Sequence, residues 1–216
     1  MRVMLDYTKQ EQWKNGFGQQ QSPVPLNTAT AQAAVANHLL VWQNDIEGVS
    51  LSDKEINFQM NGHGHAVLEQ RPYQFQQLHF HAPAEHVIDD DQAAMEWHFV
   101  FQDAAGQLAV VARVAHIGAP DPVFEQLLTQ FKPHETVTLK QLLDVHAELP
   151  ATGPVLRYLG SLTTPPLTEG VRWYVAQTPL SVSKGQLARY HQLFEHPNNR
   201  HLQALNGRPV LQTKLN

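Results

Sequence analysis

Over much of this chain polar and apolar residues alternate, which is the period-2 signature of strands half-buried in a sheet. Residues 96–101, Glu-Trp-His-Phe-Val-Phe, alternate with aromatic residues, and the run Leu108 to His116 is apolar and β-branched enough to be buried on both faces. Val171 to Ala176 reads as a further strand. Helical periodicity is scarce. Asp121 to Phe131 carries Leu and Phe at helical spacing, Leu139 to Val145 has leucines for one or two turns, and Ser183 to Phe194 is the clearest amphipathic helix, with Ser183 as its N-cap. Fourteen prolines and many turn residues between these segments predict long ordered loops. The pattern predicts a mainly β (α+β) fold with short peripheral helices.

Composition narrows this further. The 216 residues can bury a substantial core, and no Gly/Ser-rich or Pro-rich linker divides them, so residues 1–216 are read as one domain. A net charge of −5 without a basic stripe argues against nucleic acid as a partner, and the acidic run Asp89 to Asp91 reads as a solvated turn. No window reaches the roughly 18 apolar residues needed to span a membrane, and Met1 to Tyr7 lacks the apolar stretch of a secretory signal. The chain has no cysteine, which suits a reducing compartment and makes the cytoplasm the expected location, although a removed leader stays compatible.

Residues 77–100 carry the chemistry. In an extended strand His79 and His81 share a face with Gln77, and by the same parity Glu96, His98 and Val100 share a face of a second strand. The loop Asp89-Asp90-Asp91-Gln92 lets the second strand fold back antiparallel beside the first, which brings three imidazoles together. Gln77 and Glu96 have the chemistry to fix the tautomers of ligating histidines. Three neutral histidines on Zn2+ leave a fourth position open, the mark of a catalytic rather than a structural site. His79-x-His81-x3-Glu85 also satisfies the first metal motif of the cupins, but Tyr73 stands where that motif expects glycine and a second cupin motif is missing.

A second segment, Tyr158-Leu-Gly-Ser-Leu-Thr-Thr-Pro-Pro-Leu-Thr-Glu-Gly-Val-Arg-Trp173, discriminates further. With Gln21-Ser22-Pro23, Gly62-His63, Leu108-Ala-Val-Val-Ala112 and Asn198-Asn-Arg200 it makes the chain closely resemble an α-class carbonic anhydrase of bacterial type. The resemblance implies a central twisted, mostly antiparallel sheet of about ten strands, with zinc at the base of a conical cleft. It implies reversible hydration of carbon dioxide to bicarbonate and a proton. Many bacterial members carry a disulfide from the early chain to the segment after Thr-Thr-Pro-Pro, where this chain has Leu167.

The resemblance also implies roles. Zinc on His79, His81 and His98 would lower the pKa of water from about 15.7 to about 7, the value carbonic anhydrases themselves establish. At ~1.36 kcal/mol per unit this favours hydroxide by roughly 12 kcal/mol. Thr163 would accept a hydrogen bond from the hydroxide and donate its own proton to Glu85, which as a carboxylate can only accept. The backbone carbonyl of Asn198 would orient His81. Carbon dioxide has no net dipole, and Val100, Val110, Leu162, Thr164, Val171 and Trp173 would form its pocket. An acid of pKa near 7 cannot lose protons to bare water faster than about 10³ per second when recombination is diffusion-limited, so fast turnover needs a shuttle. His63 in Asn61-Gly-His matches the family's shuttle histidine, with His65 its competitor. Tyr7 corresponds to a cleft tyrosine that orders water, within an N-terminal segment shorter than in many relatives. His86 reads as a buried structural histidine. The resemblance further implies inhibition by small anions and sulfonamides and a weak esterase activity, and it leaves a homodimer open. Relatives that have become silent binding modules usually lack metal histidines, and this chain keeps all of them.

Overall fold

The computed structural model describes residues 5–36, 38–43 and 45–215. Alternation becomes strands along the length of these segments: β1 (Pro25–Leu26), β2 (Gln32–Ala33), β3 (Leu40–Trp42), β4 (Glu47–Asp53), β5 (Phe58–His63), β6 (His65–Leu68) and β7 (Arg71–His81). There follow β8 (Val87–Ile88), β9 (Met95–Gln102), β10 (Leu108–Ile117), β11 (Thr136–Asp144), β12 (Gly153–Ser161), β13 (Glu169–Val182) and β14 (Leu211–Leu215). Two α-helices, α1 (Pro122–Gln130) and α2 (Lys184–Leu193), and two 3-10 turns, Tyr7–Gln12 and His146–Glu148, complete the described elements. None of the helices among the described residues is long and apolar enough to cross a membrane.

Twelve strands form one sheet along the path β11-β4-β5-β7-β9-β10-β13-β12-β14-β2, with β3 and β6 branching from β7. Most neighbours are antiparallel, whereas β10/β13 and β14/β2 run parallel. The mainly β, mostly antiparallel expectation holds, and the β3–β6 branch takes the sheet beyond ten strands.

β9 and β10 are buried on both faces, so alternation sorts their side chains between two interiors. On one face Phe80 and Trp97 pack with Phe124 of α1, ring centroids 5.1–5.6 Å apart, in a core that also takes Phe58 and Tyr190. On the other face Val100, Val110, Val171 and Trp173 form a smaller apolar cluster. Both helices are capped, α2 by Ser183 as expected and α1 by Asp121, which the sequence pattern did not single out. The Asp121 carboxylate accepts from Phe124 N at 2.7 Å. Ser183 and Gln186 form a reciprocal capping box, each side chain accepting from the other's backbone N–H at 3.1 Å.

One expectation fails. Leu139 to Val145, read as a helical turn or two, lies largely in strand β11. The pairing with β4 slips between Thr138, opposite Ser50, and Leu143, opposite Gly48, so β11 advances five residues while β4 advances two. That bulge returns Leu139 and Leu143 to the same interior and leaves residues 140–142 exposed. An i, i+4 apolar pair therefore arises without a helix.

Candidate metal centre

The register between β7 and β9 builds the centre. His79 lies directly opposite His98 and His81 opposite Glu96, so the parity read from the sequence becomes a cluster on one face of the sheet. The ligand atoms of His79, His81 and His98 lie within 4.8 Å of one another.

Each ring has one nitrogen committed elsewhere. His79 Nδ1 donates to Gln77 Oε1 at 2.8 Å, His81 Nδ1 to the Asn198 carbonyl at 2.6 Å, and His98 Nε2 to Glu96 Oε1 at 2.8 Å. These acceptors fix the tautomers and leave His79 Nε2, His81 Nε2 and His98 Nδ1 as lone pairs aimed at a common point. His81 Nε2 is buried with no hydrogen-bond partner. His98 Nδ1 and His79 Nε2 face each other at 3.3 Å, two acceptors with no proton to share. Two donors on tetrahedral zinc at about 2.0–2.1 Å stand about 3.3–3.4 Å apart. The donor set therefore fits a zinc ion.

Electrostatics agree. Burial holds His79 well below the ordinary histidine range, lowers His81 to about 4 and lowers His98 as well, the charge of Glu96 opposing it there. Neutral imidazole is the ligating form. Burial would push Glu96 up, but the rings of His86 and His98 outweigh it and hold this carboxyl well below its usual value. Glu96 accepts from Glu85 N at 2.9 Å, His86 N at 2.7 Å, His86 Nδ1 at 2.6 Å and His98 Nε2 at 2.8 Å. His86, Glu96 and His98 also lie within ligating distance of one another, but their polar atoms are largely consumed by these bonds and by His86 Nε2 to the Tyr158 hydroxyl at 2.8 Å. That trio is a buttress, and His86 is the buried structural histidine expected.

Glu85 is buried, with Oε2 4.0 Å from His98 Nδ1. Burial pushes its carboxyl up to about 7, opposed by the charge of His98, the Arg200 backbone N–H and the Thr163 side chain. Oε1 accepts from Arg200 N at 2.8 Å, whereas Oε2 has no bond of good geometry, so the Thr163 contact is loose. Arg200, to which the sequence reading gave no role, is the second anchor of Glu85. Its guanidinium also bonds Gln21 Oε1 at 2.9 Å and the Ser22 carbonyl at 2.7 Å. Nothing in the sequence beyond its place beside Asn198 marks it, because its partner lies 115 residues away.

A cavity of about 550 Å³ opens beside the centre, lined by His79, Gln77, Gln59, Asn57 and Thr164 among others. Val100 pairs with Val110 and Val110 with Trp173, and Trp173 stands 5.0 Å from the His98 ring. These three and Val171 form the buried wall, with Leu162 partly buried at its edge.

His63 ends β5 exposed. Gln59 and Asn61, which share its strand face, stand opposite His79 and Gln77. Gly62 before it approaches β4 so closely that a Cβ there would lie 2.3 Å from the Glu47 carbonyl, which is why glycine precedes this histidine. His65 is exposed and its ring is engaged by Asp45 at 2.5 Å. Neither histidine lines the 550 Å³ cavity. Tyr7 is buried in the first 3-10 turn, packed edge-on against Trp13 at 5.0 Å, and its hydroxyl has no partner. It lines an adjoining cavity of about 250 Å³ rather than the one at the metal centre. Burial, then the charge of Glu85, raises its pKa well above the usual tyrosine value.

The family model described as eukaryotic-type carbonic anhydrase matches residues 8–214. The chain is similar to the carbonic anhydrase of Pectobacterium atrosepticum, 33% identical over 199 residues that cover 90% of this chain and 80% of the relative. Among solved structures it is similar to the Photobacterium profundum α-carbonic anhydrase, with a TM-score of 0.83 and 32% identity over 91% of this chain and 90% of that one. The Thermovibrio ammonificans α-carbonic anhydrase, solved with the inhibitor sulfanilamide, has a TM-score of 0.83 and 31% identity over 90% of this chain and 87% of that one.

Proposed function

Because the chain belongs to the eukaryotic-type, or α, carbonic anhydrase family, we propose that it hydrates carbon dioxide reversibly at a zinc site formed by His79, His81 and His98. The observation that carries this reading is the set of three converging ring nitrogens, each left free because its partner nitrogen is committed to Gln77, Asn198 or Glu96. Zinc bound there supplies the Lewis acidity that makes a water-derived nucleophile available at neutral pH.

The chain's own residues aim, enclose and deprotonate. Arg200 N holds Glu85 Oε1, which leaves Oε2 as the acceptor for the Thr163 hydroxyl. Above its raised value of about 7 Glu85 is ionised and cannot donate, so there the Thr163 proton points to it and the Thr163 oxygen accepts from the attacking nucleophile. That directs a nucleophile lone pair toward the wall of Val100, Val110, Leu162, Val171 and Trp173, with Thr164 at the cavity side. An apolar wall suits a substrate without net dipole and gives charged bicarbonate little reason to stay. His63 is the shuttle we favour over His65, since its strand face leads through Asn61 and Gln59 toward the centre, whereas the His65 ring is occupied by Asp45. Tyr7 acts, on this reading, as a buried neighbour of Glu85.

We read residues 1–216 as one domain, since strands of one sheet come from residues 32 to 215. The lack of cysteine supports a reducing compartment such as the cytoplasm. Sulfonamide and small-anion inhibition, and weak hydrolysis of activated esters, follow from an accessible metal position in an open cleft.

Stopped-flow hydration by protein of known zinc content tests the reading. Activity proportional to zinc and abolished by a sulfonamide is expected, and His63→Ala should lower turnover in dilute buffer with partial rescue by imidazole. Full zinc occupancy without hydration would replace the enzyme by a binding module.

A further inference from the structure

Behind the substrate wall lies a second polar cluster with no part in the chemistry above. On β12 and β13 the residues Tyr158 and Trp173 face the metal side, so Arg157, paired with Tyr174, and Arg172, paired with Leu159, face the reverse side. Glu69, at the tip of the β6–β7 hairpin, reaches across this reverse face. One of its oxygens takes Nη1 of Arg157 and the other takes Nη1 of Arg172. Two guanidinium charges are thus met by a single carboxylate, and both of its oxygens are already engaged.

Four further polar groups on this face lack a partner of good geometry, and three of them belong to residues that line one cavity. Nε of Arg157, Nε of Arg172 and the hydroxyls of Tyr73 and Tyr174 are all buried and unpartnered. Tyr174 is 1% exposed and Tyr73 is 2% exposed. The Tyr174 hydroxyl sits beside Arg172 without closing a bond of good geometry, and Tyr73 feels the charges of Arg172, Asp103, Arg71 and Glu69, in that order. Buried donors left unpaired are costly, and a surplus of donors over acceptors with one uncompensated positive charge calls for an acceptor-rich anion. The space exists: a cavity of about 290 Å³ is lined by Glu69, Arg157, Arg172, Tyr174, Pro209 and Leu211 among others. None of these residues lines the cavity at the metal centre.

We propose that the Glu69–Arg157–Arg172–Tyr174 cavity is a binding site for a small oxyanion, separate from the metal centre, in which the anion takes hydrogen bonds from the two arginines and the tyrosine hydroxyl. Glu69 is the resident competitor of this anion. A purely structural ion-pair network would instead be complete with Glu69 alone.

Calorimetric titration of the zinc-loaded protein with inorganic phosphate at low ionic strength separates the two. Saturable binding is expected, weakened about tenfold or more by Arg172→Gln and several-fold by Tyr174→Phe, which removes one hydroxyl and keeps charge and ring. Glu69→Gln, which frees donors and deletes the competing charge, should tighten binding about tenfold. Phosphate held at the metal centre would be indifferent to all three substitutions. Binding that ignores them, or its absence from both the wild type and Glu69→Gln, overturns the proposal.

Discussion

Glu96 shows how much one side chain can carry. Its carboxylate accepts four hydrogen bonds, two from backbone N–H groups that shape the Glu85–His86 turn and two from imidazoles, one of them the proposed metal ligand His98. Glu96→Gln can accept from His98 only by presenting an amide oxygen, and it loses the charge that strengthens that ligand. Outer partners of this kind are worth about 10- to 100-fold in metal affinity. Glu96→Gln is therefore expected to lower zinc affinity by that factor in chelator competition, with carbon dioxide hydration restored at excess zinc. Unchanged affinity would mean that His98 is oriented by packing against Trp173 alone. Thr163→Ala should behave in the opposite manner. It leaves zinc affinity intact and lowers kcat/KM by about 10²-fold, the scale of one lost transition-state hydrogen bond.

At the scale of elements, the informative junction is where α1, β10 and the His146–Glu148 turn meet. The carboxyls of Asp121 and Glu148 are buried together there, near Arg113, whose guanidinium bonds the Glu148 and Thr178 carbonyls at 2.9 Å. Burial, followed by the charge of Asp121, pushes Glu148 up to about 7, and burial raises Asp121 as well. A carboxyl with a raised folded pKa holds a proton that the unfolded chain releases, so stability is full below pH 4.5 and falls as pH climbs through about 7. Glu148→Gln should therefore gain on the wild type between pH 5 and pH 8, read as the change in the Tm difference between them. A constant difference would show that the pair does not titrate in this window. β11 teaches the complementary lesson, because its apolar spacing is that of a helix and only the slip against β4 makes it a strand.

For the whole molecule, the proposed metal centre is also a stability element. Three histidines with lowered folded pKa values resist protonation that the unfolded chain accepts. Zinc-free protein should accordingly lose stability as pH falls from about 6.5 toward about 4, the folded value of His81. Zinc at a hundredfold excess over its Kd adds ~2.7 kcal/mol, or about 5–10 °C in Tm for a chain of this size. Identical melting of chelated and zinc-loaded protein at pH 7 would exclude these histidines as its ligands. By itself the sequence determined the β-rich class, the cap Ser183, and the shared faces of Gln77, His79 and His81 and of Glu96, His98 and Val100. Those features are legible because they rest on a local period of two or on capping within one turn. Tertiary structure decided that His79 faces His98, that Arg200 anchors Glu85, that Tyr7 lines an adjoining cavity, and that Arg157 and Arg172 share one carboxylate. Each of these depends on strand register or on contacts between distant segments, where the local pattern is the same for many pairings and only packing of the whole chain selects one.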